Sequence, residues 1–571
     1  MPGDHASAEL LAGMSSLLLS VRDASLRLEA EGVAAARHTQ AALVDQLSDY
    51  VLPRLVQLDA PLLVVVGGST GAGKSTLVNS LVGEQVTESG VLRPTTRSPV
   101  LVHHPDDAEW FQPDRILPDL ARTLETGNDS YALRLATSDK IPPGLAILDA
   151  PDVDSIDRGN RELAAQLLAA ADLWLFVTSA ARYADQVPWD YLRQASERST
   201  SVAVVLDRTS DDALIEVRGH LARMMTSRGL SDSPLFTIPE SELDVDGLLP
   251  REAVAPMVDW LHELAADPKA RELVVTRTLD GAVRHVVLRT HDVADALDTQ
   301  IELTETLHGE ADTAYRSALD AFETQTADGT LLRGEVLASW QEFVGTGELL
   351  RSVEEKVSRI RDRFVDGMTG KRNRSTEVAD AIEEGVHLLL VEHAEASAEQ
   401  VSRAWAAIPA GRQLLDANRG LDRASRDFRV RAERAVHDWR QAVLDLVRVE
   451  GADKRMTARF LAFGVNGIAV ALMVSTLARS SDGPAAGGTA ALGTKLLDAI
   501  FGPDVVAGLV AQVHSDLDTR VSALLDGEQQ RFTDLLDPAD ALKAHQATVR
   551  GSARRAEYAR HADFLDGETV S

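Results

Sequence analysis

Residues 68–75 read Gly-Ser-Thr-Gly-Ala-Gly-Lys-Ser, which fits the phosphate-binding pattern G-x-x-x-x-G-K-[ST]. Each residue type has a task. Glycines let the backbone curl so that several N–H groups point at phosphate oxygens, Lys74 neutralises the β and γ oxygens, and Ser75 offers a hydroxyl to Mg²⁺. A helix starting near Lys74 adds the positive end of its dipole. Gly68, Ser69, Thr70, Gly71, Ala72, Gly73, Lys74, Ser75 and Thr76 are therefore the expected nucleotide-binding residues. From ordinary residue frequencies, a chance match in a chain this long is on the order of one in a hundred. The apolar stretch Leu62–Val66 directly ahead of the loop lowers those odds, and a ligand-free glycine turn explains the context poorly.

Two further segments narrow the chemistry. Ile147-Leu148-Asp149-Ala150-Pro151-Asp152 is an apolar run ending in an acid, which places Asp149 where a second carboxylate of the Mg²⁺ shell belongs. Between it and the glycine loop lies Arg93-Pro94-Thr95-Thr96-Arg97-Ser98-Pro99. Thr96 can give a hydroxyl to Mg²⁺ and an N–H to a γ-phosphate. Lys74 and Thr96 are the candidate catalytic residues, and Ser75, Thr96 and Asp149 the candidate metal ligands. This order of loops is that of a GTPase with two switches. No LSGGQ-like segment is present, which argues against an ABC-type ATPase.

These loops need a scaffold. Short apolar runs at 62–66, 100–103, 131–135, 145–148, 173–178, 202–206 and 235–238 alternate with amphipathic segments. That alternation implies an α/β layer with a mostly parallel sheet and helices on both faces. After about Asp267 only helical patterns follow, such as Leu350, Val353, Val357, Ile360 and Phe364, then Val436, Trp439, Val443 and Leu446. Each seam reads as core of a helical bundle. Ahead of the sheet, Leu10, Met14, Leu17, Val21, Ala24 and Leu28 recur on one helix face. The expected division is N-terminal helices at 1–60 packing with the helical bundle, a P-loop domain at 61–266, a helical stalk at 267–455, an apolar tip at 456–515, and a returning helix and tail at 516–571.

Composition excludes several classes. The chain has 571 residues, 58 Lys+Arg against 88 Asp+Glu, a net charge of −30 and no cysteine. A surface so acidic argues against nucleic acid as a partner. Thiol catalysis, disulfides and zinc–thiolate sites are ruled out. His103-His104 has no metal-ligand spacing and reads as surface. Arg550, Arg554, Arg555 and Arg560 read as a solvated basic face.

Phe460–Ala478 contains no charged residue over 19 positions. At about 1.5 Å per residue, such a helix matches a hydrocarbon layer of roughly 30 Å. Lys454, Arg455, Arg459 and Arg479 flank it, and the second run, Leu496–Val513, carries Asp498 and Asp504. The expectation is a helical hairpin touching the bilayer, with a buried core hairpin as the alternative.

The chain resembles the dynamin superfamily, and its whole layout resembles a bacterial dynamin-like protein. Thr96-Arg97-Ser98-Pro99 is similar to the T-R-x-P switch I of dynamins, and Leu148-Asp149-Ala150-Pro151 to their L-x-D-x-P switch II. The resemblance implies GTP with Mg²⁺ as ligands and Asp149 holding a metal-bound water. It also implies self-association as a homo-oligomer or with a paralogue, a tip at 456–515 on the cytoplasmic face of the membrane, and a role in remodelling or division. Three departures stand out. Asp152 occupies the usual Gly of switch II. Gly71 replaces a Ser that positions water, which makes Arg93 or Arg97 the candidate charge-stabilising partner on G-domain pairing. The base-reading T/N-K-x-D is Asp207-Arg208-Thr209-Ser210, so Asp207 and Arg208 are assigned to the base and Asp211 serves only if the loop carries an extra residue. GTP over ATP therefore rests on the resemblance. A nucleotide-gated scaffold with little hydrolysis and a soluble P-loop ATPase stay open as alternatives.

Overall fold

The computed structural model describes residues 3–88, 98–113, 115–118, 120–123, 132–155, 157–197, 200–328, 331, 338, 340, 368–452, 458–478 and 489–565. The chain forms two compact units. The first comprises 1–27, 31–299 and 540–571, and the second 28–30 and 300–539.

The first unit is built on an eight-stranded sheet: β1 (Leu62–Gly68), β2 (Val100–His103), β3 (Ala121–Thr123), β4 (Ala132–Thr137), β5 (Leu145–Asp149), β6 (Leu173–Ser179), β7 (Ser201–Thr209) and β8 (Leu235–Pro239). Their order is β3-β4-β2-β5-β1-β6-β7-β8, and every neighbouring pair is parallel except β2 with β5. The mostly parallel sheet expected from the apolar runs is present. Both faces are covered, which is why the strands read as unbroken apolar runs.

Alternation along each strand divides the core. Leu63 and Val65 of β1 join Leu148, Trp174, Phe176 and Val204 on one face, under Leu163 and Leu167 of α5 (Arg158–Ala169), Leu192 of α6 (Gln186–Glu197) and Leu221 of α7 (Asp211–Ser227). Leu62, Val64 and Val66 join Ile147, Leu175 and Val205 on the other, under Leu77 and Leu81 of α4 (Lys74–Val82) and Met257 and Leu261 of α8 (Arg251–Ala266). The period of two along β1 thus feeds two separate cores.

Helix α1 (Gly3–Arg22) buries Leu10, Met14, Leu17 and Val21, but ends before Ala24 and Leu28, which the expected face included. Those two are buried outside the helix, so burial continues where the helix does not. Helix α2 (Val33–Gln46) follows, then a π-turn (Leu47–Val51) and α3 (Leu52–Val56) with Pro53 in its first turn. Helix α9 runs from Pro268 to Ala327.

The second unit is helical. Helices α10 (Met368–Ala406), α11 (Pro409–Ala417), α12 (Phe428–Glu450), α13 (Ala458–Thr476), α14 (Thr489–Phe501) and α15 (Pro503–Thr533) share one apolar core. On α12 the buried seam is Phe428, Ala432, Val436, Trp439, Val443 and Val447, with the expected Leu446 half-buried beside it. Two tryptophans sit fully inside because each indole N–H finds a carbonyl: Trp405 donates to Leu307 O and Trp439 to Val513 O, both at 3.0 Å. The seam at 350–364 lies outside the described residues. Helix α16 (Ala539–Arg560) belongs to the first unit from Asp540 onward. Its arginines are not a solvated face throughout, because Arg560 is buried against Asp280 at 2.6 Å.

The expected tip requires a correction. Ile468 to Val474 and Leu477 are at most 2% exposed and lie inside the helical core, not on its surface. The helix breaks at Gly464 (φ 65°, ψ 174°), so the apolar run is not one straight rod. Among the described residues no helix is long and apolar enough to cross a membrane. Helices α13 and α14 do pack as a close pair: a Cβ on Gly493 would meet Ser475 Oγ at 3.2 Å and Ala471 O at 3.3 Å. His103 is likewise buried, with its ring 5.0 Å from that of Phe111. Among the described residues no group of side chains could hold a metal through His, Cys, Asp or Glu alone.

Candidate nucleotide site

The glycine loop leaves the C-terminal end of β1 in the middle of the sheet and enters α4, where ligands of open α/β sheets bind. Its glycines are dictated by contact. Gly68 has φ 149°, and a Cβ there would lie 2.0 Å from Val177 O on β6. Gly73 has φ 92°, and a Cβ there would meet Asp207 Oδ2 at 2.3 Å. The loop and the base-reading segment are therefore packed directly together.

Two of the candidate metal ligands meet. Ser75 Oγ donates to Asp149 Oδ2 at 2.7 Å, from the first turn of α4 to the end of β5. Asp149 is fully buried, and burial pushes its carboxyl up, against the pull of the Ser75 and Thr87 hydroxyls and the Lys74 charge. Its second oxygen, Oδ1, is buried with no hydrogen-bond partner. An unpartnered buried carboxylate oxygen beside a serine hydroxyl is an all-oxygen donor set of the kind a hard divalent cation takes, so these residues fit Mg²⁺. Thr96, Arg93 and Arg97 lie outside the described residues.

Thr87 carries no motif, yet its hydroxyl donates to Asp149 Oδ2 at 2.8 Å. It is held there by Asn79 of α4, whose Oδ1 accepts from the amides of Val86 and Thr87 and whose amide donates to Thr87 O, all at 2.9 Å. An Asn one helical turn after Ser75 was the available clue.

Lys74 is buried. Its ammonium donates to Gly68 O at 3.2 Å and Ser69 O at 3.1 Å, and forms an ion pair with Asp152. Two residues on, Asp154 Oδ1 accepts from both the amide and the hydroxyl of Thr70 at 2.6 Å, and Arg182 donates to Asp154 Oδ2 at 2.5 Å. Burial pushes the Asp154 carboxyl up, but those donors outweigh it and hold the group below its ordinary value. Neither Asp154 nor Arg182 stood out in the sequence; the only signal was the density of acids after Asp149.

At the base-reading end, the pairing of β7 with β6 stops at Asp207, and Arg208 takes a left-handed φ of 54°. The Arg208 amide donates to Asp207 Oδ1 at 2.8 Å. Ser210 caps α7, which Asp211 opens. Burial raises the Asp207 carboxyl to about 6, against the pull of the Arg208 amide and charge. The folded state therefore holds this proton more tightly than the unfolded chain, and the advantage is lost as pH rises through about 6. At about 1.4 kcal/mol per unit, the ionised form costs up to about 3 kcal/mol. Asp207→Asn is expected to raise the melting temperature near pH 8 and to change it little near pH 4.5, as thermal denaturation at the two values will read.

Residues 64–208 match the sequence model of the dynamin family. The chain is 25% identical over 172 residues to a protein of Arabidopsis thaliana described as a probable transmembrane GTPase FZO-like, chloroplastic, covering 30% of this chain and 18% of that one. It is also 25% identical over 307 residues to the chaperone protein ClpB of Nitratidesulfovibrio vulgaris, covering 50% and 34%. The chain thus spans about a third or less of the length of these curated relatives. Two solved structures, described as an oligomerised bacterial dynamin pair that provides a mechanism for long-range sensing and tethering of membranes, align at 11% identity. Their TM-scores are 0.40 and 0.39, over 93% and 94% of this chain and 96% and 97% of theirs. That likeness is too loose to carry an argument.

Proposed function

We propose, from the match of residues 64–208 to the dynamin family model and the likeness to a probable transmembrane GTPase, that the chain is a dynamin-superfamily, Mg²⁺-dependent GTPase that acts at a membrane as an oligomer. The observation that carries the reading is the set of oxygens around Asp149 beside a whole phosphate loop. Ser75 and Asp149 would hold Mg²⁺, with Thr96 completing the set, and the ion would supply neutralisation of the charge that develops on the phosphate oxygens.

The chain's own residues do the rest. Loop amides from Ser69 to Thr76 and the positive end of α4 orient the phosphates. Lys74 offsets charge on the β and γ oxygens. Asp207 lies against Gly73 of the phosphate loop, which supports Asp207 and Arg208 as the residues that would meet the base. Bilayer contact through 456–515 would require α13 and α14 to leave the helical core. Partner copies, the cytoplasmic face and a part in remodelling or division complete the reading.

A second reading, a nucleotide-gated scaffold with little turnover, is favoured by one contact: the catalytic lysine is engaged by Asp152. Phosphate release from GTP and from ATP, with and without anionic liposomes, separates the two. GTP-selective release that rises on liposomes supports the enzyme, and Lys74→Ala is expected to lower it at least a hundredfold. Tight binding without release moves the protein to the scaffold. ATP release indifferent to lipid overturns both the guanine and the membrane assignments.

A further inference from the structure

An ammonium group has three donors, and all three of Lys74 are engaged: Gly68 O, Ser69 O and the Asp152 carboxylate. The two carbonyls belong to the loop itself. Asp152 is the partner able to move, since its side chain keeps 20% of its surface in solvent against 5% for Lys74. Its carboxylate sits on the nitrogen that a phosphate oxygen would need.

The same substitution of carboxylate for phosphate occurs a second time. Asp154 accepts from the Thr70 amide and hydroxyl, at the apex of the loop whose amides cradle phosphates. The chain between is laid along the loop as well, with the Val153 amide on Gly68 O at 3.3 Å. Two anions on one short segment therefore occupy a lysine and a loop amide that a nucleotide must claim. A triphosphate arriving with both in place would meet like charge at close range in a partly buried site.

We propose that residues 152–154 form an acidic clasp over the phosphate loop, in which Asp152 and Asp154 compete with the nucleotide's phosphates and must leave for it to bind. This rests on the nucleotide-binding reading above and adds its regulation. Binding and opening of the clasp are one event, so the segment after β5 reports directly on whether the loop is filled. Opening removes two negative charges from the cradle and leaves Arg182, which also donates to Thr70 O at 3.4 Å, beside it. The apparent affinity is the intrinsic one reduced by the fraction of molecules with the clasp open.

The test is fluorescence titration of the full chain with mant-GTP and mant-ATP in Mg²⁺, comparing wild type with Asp152→Asn, Asp154→Asn and the double variant, each first checked for a cooperative melt. Asp152→Asn keeps shape and removes the charge. It is expected to tighten binding about tenfold, as for a clasp closed in roughly nine molecules of ten, and the double variant more. Equal or weaker binding by both single variants, with wild type binding normally, overturns the clasp and leaves the nucleotide reading standing. Binding by the double variant where wild type shows none supports it. Absence of binding in every form overturns both. If Asp152→Asn does not fold, Asp154→Asn decides: tighter binding supports the clasp and unchanged binding overturns it.

Discussion

Asp172→Ala is expected to destabilise the first unit by about 3–5 kcal/mol, the usual cost of stranding one partner of a buried ion pair. Asp172 is 2% exposed immediately before β6, and Arg54 of α3 donates to its Oδ2 at 2.7 Å from a side chain that is itself 7% exposed. The same carboxylate accepts the Leu63 amide at 2.8 Å and the Tyr50 hydroxyl at 3.2 Å. Burial pushes its carboxyl up, and Arg54, the amide and the phenol pull it back. Burial also raises the Tyr50 phenol, reinforced by the Asp172 charge. Truncation leaves a guanidinium, a hydroxyl and a strand amide without their shared acceptor. Arg54 anchors the turn before β1 as well, through Gln57 O and Ala60 O. The damage therefore falls on the strand that delivers the phosphate loop, and urea denaturation should show it with nucleotide binding weakened in step. Asp172→Leu combined with Arg54→Met should recover only the part of the loss due to the stranded guanidinium, because the Leu63 amide and the Tyr50 hydroxyl still lack their acceptor. A double variant as unstable as Asp172→Ala would mean the ion pair itself, not its desolvation, holds the turn.

The sheet was legible because each central strand is covered on both faces and so consists of apolar residues end to end. β3 was not: Ala121–Thr123 is short and partly exposed, and its middle residue is Arg122. That side chain is held by carbonyls, at 2.6 Å from Leu120 O and 3.1 Å from Phe111 O, a contact no periodicity encodes. Helix α1 shows the converse. The spacing to Ala24 and Leu28 continued correctly as burial, but burial alone does not keep a chain helical. In the site, the loop residues could be placed because phosphate chemistry fixes their types and spacing. Ser75 and Asp149 meet as spacing and chemistry suggested. Thr87 reaches Asp149 through Asn79, and Asp154 reaches Thr70 through a tight return of the chain; both depend on loop paths that residue types do not determine. Asp152 could be noticed as a misplaced charge, while its partner Lys74 required the fold.

The apolar run at 460–478 was ambiguous for a physical reason: lipid and protein core select the same side chains, and only the surroundings distinguish them. Here the surroundings are Leu497 of α14 and the rest of the helical core. Leu472→Ala is accordingly expected to cost about 2–5 kcal/mol in urea denaturation without lipid, because Leu472 is fully buried and its removal leaves a cavity. A run that faced water in the lipid-free protein would lose almost nothing. The same variant bears on the membrane proposal. Apolar area cannot lie in the helical core and in a bilayer at once, so weakening one packing shifts the balance toward the other. Flotation on anionic vesicles should therefore increase for Leu472→Ala if release of α13 and α14 is what brings the chain to lipid, although the substituted residue is itself less apolar. Reduced flotation together with the expected loss of stability would mean that these helices stay in the core, and that lipid is met elsewhere on the chain.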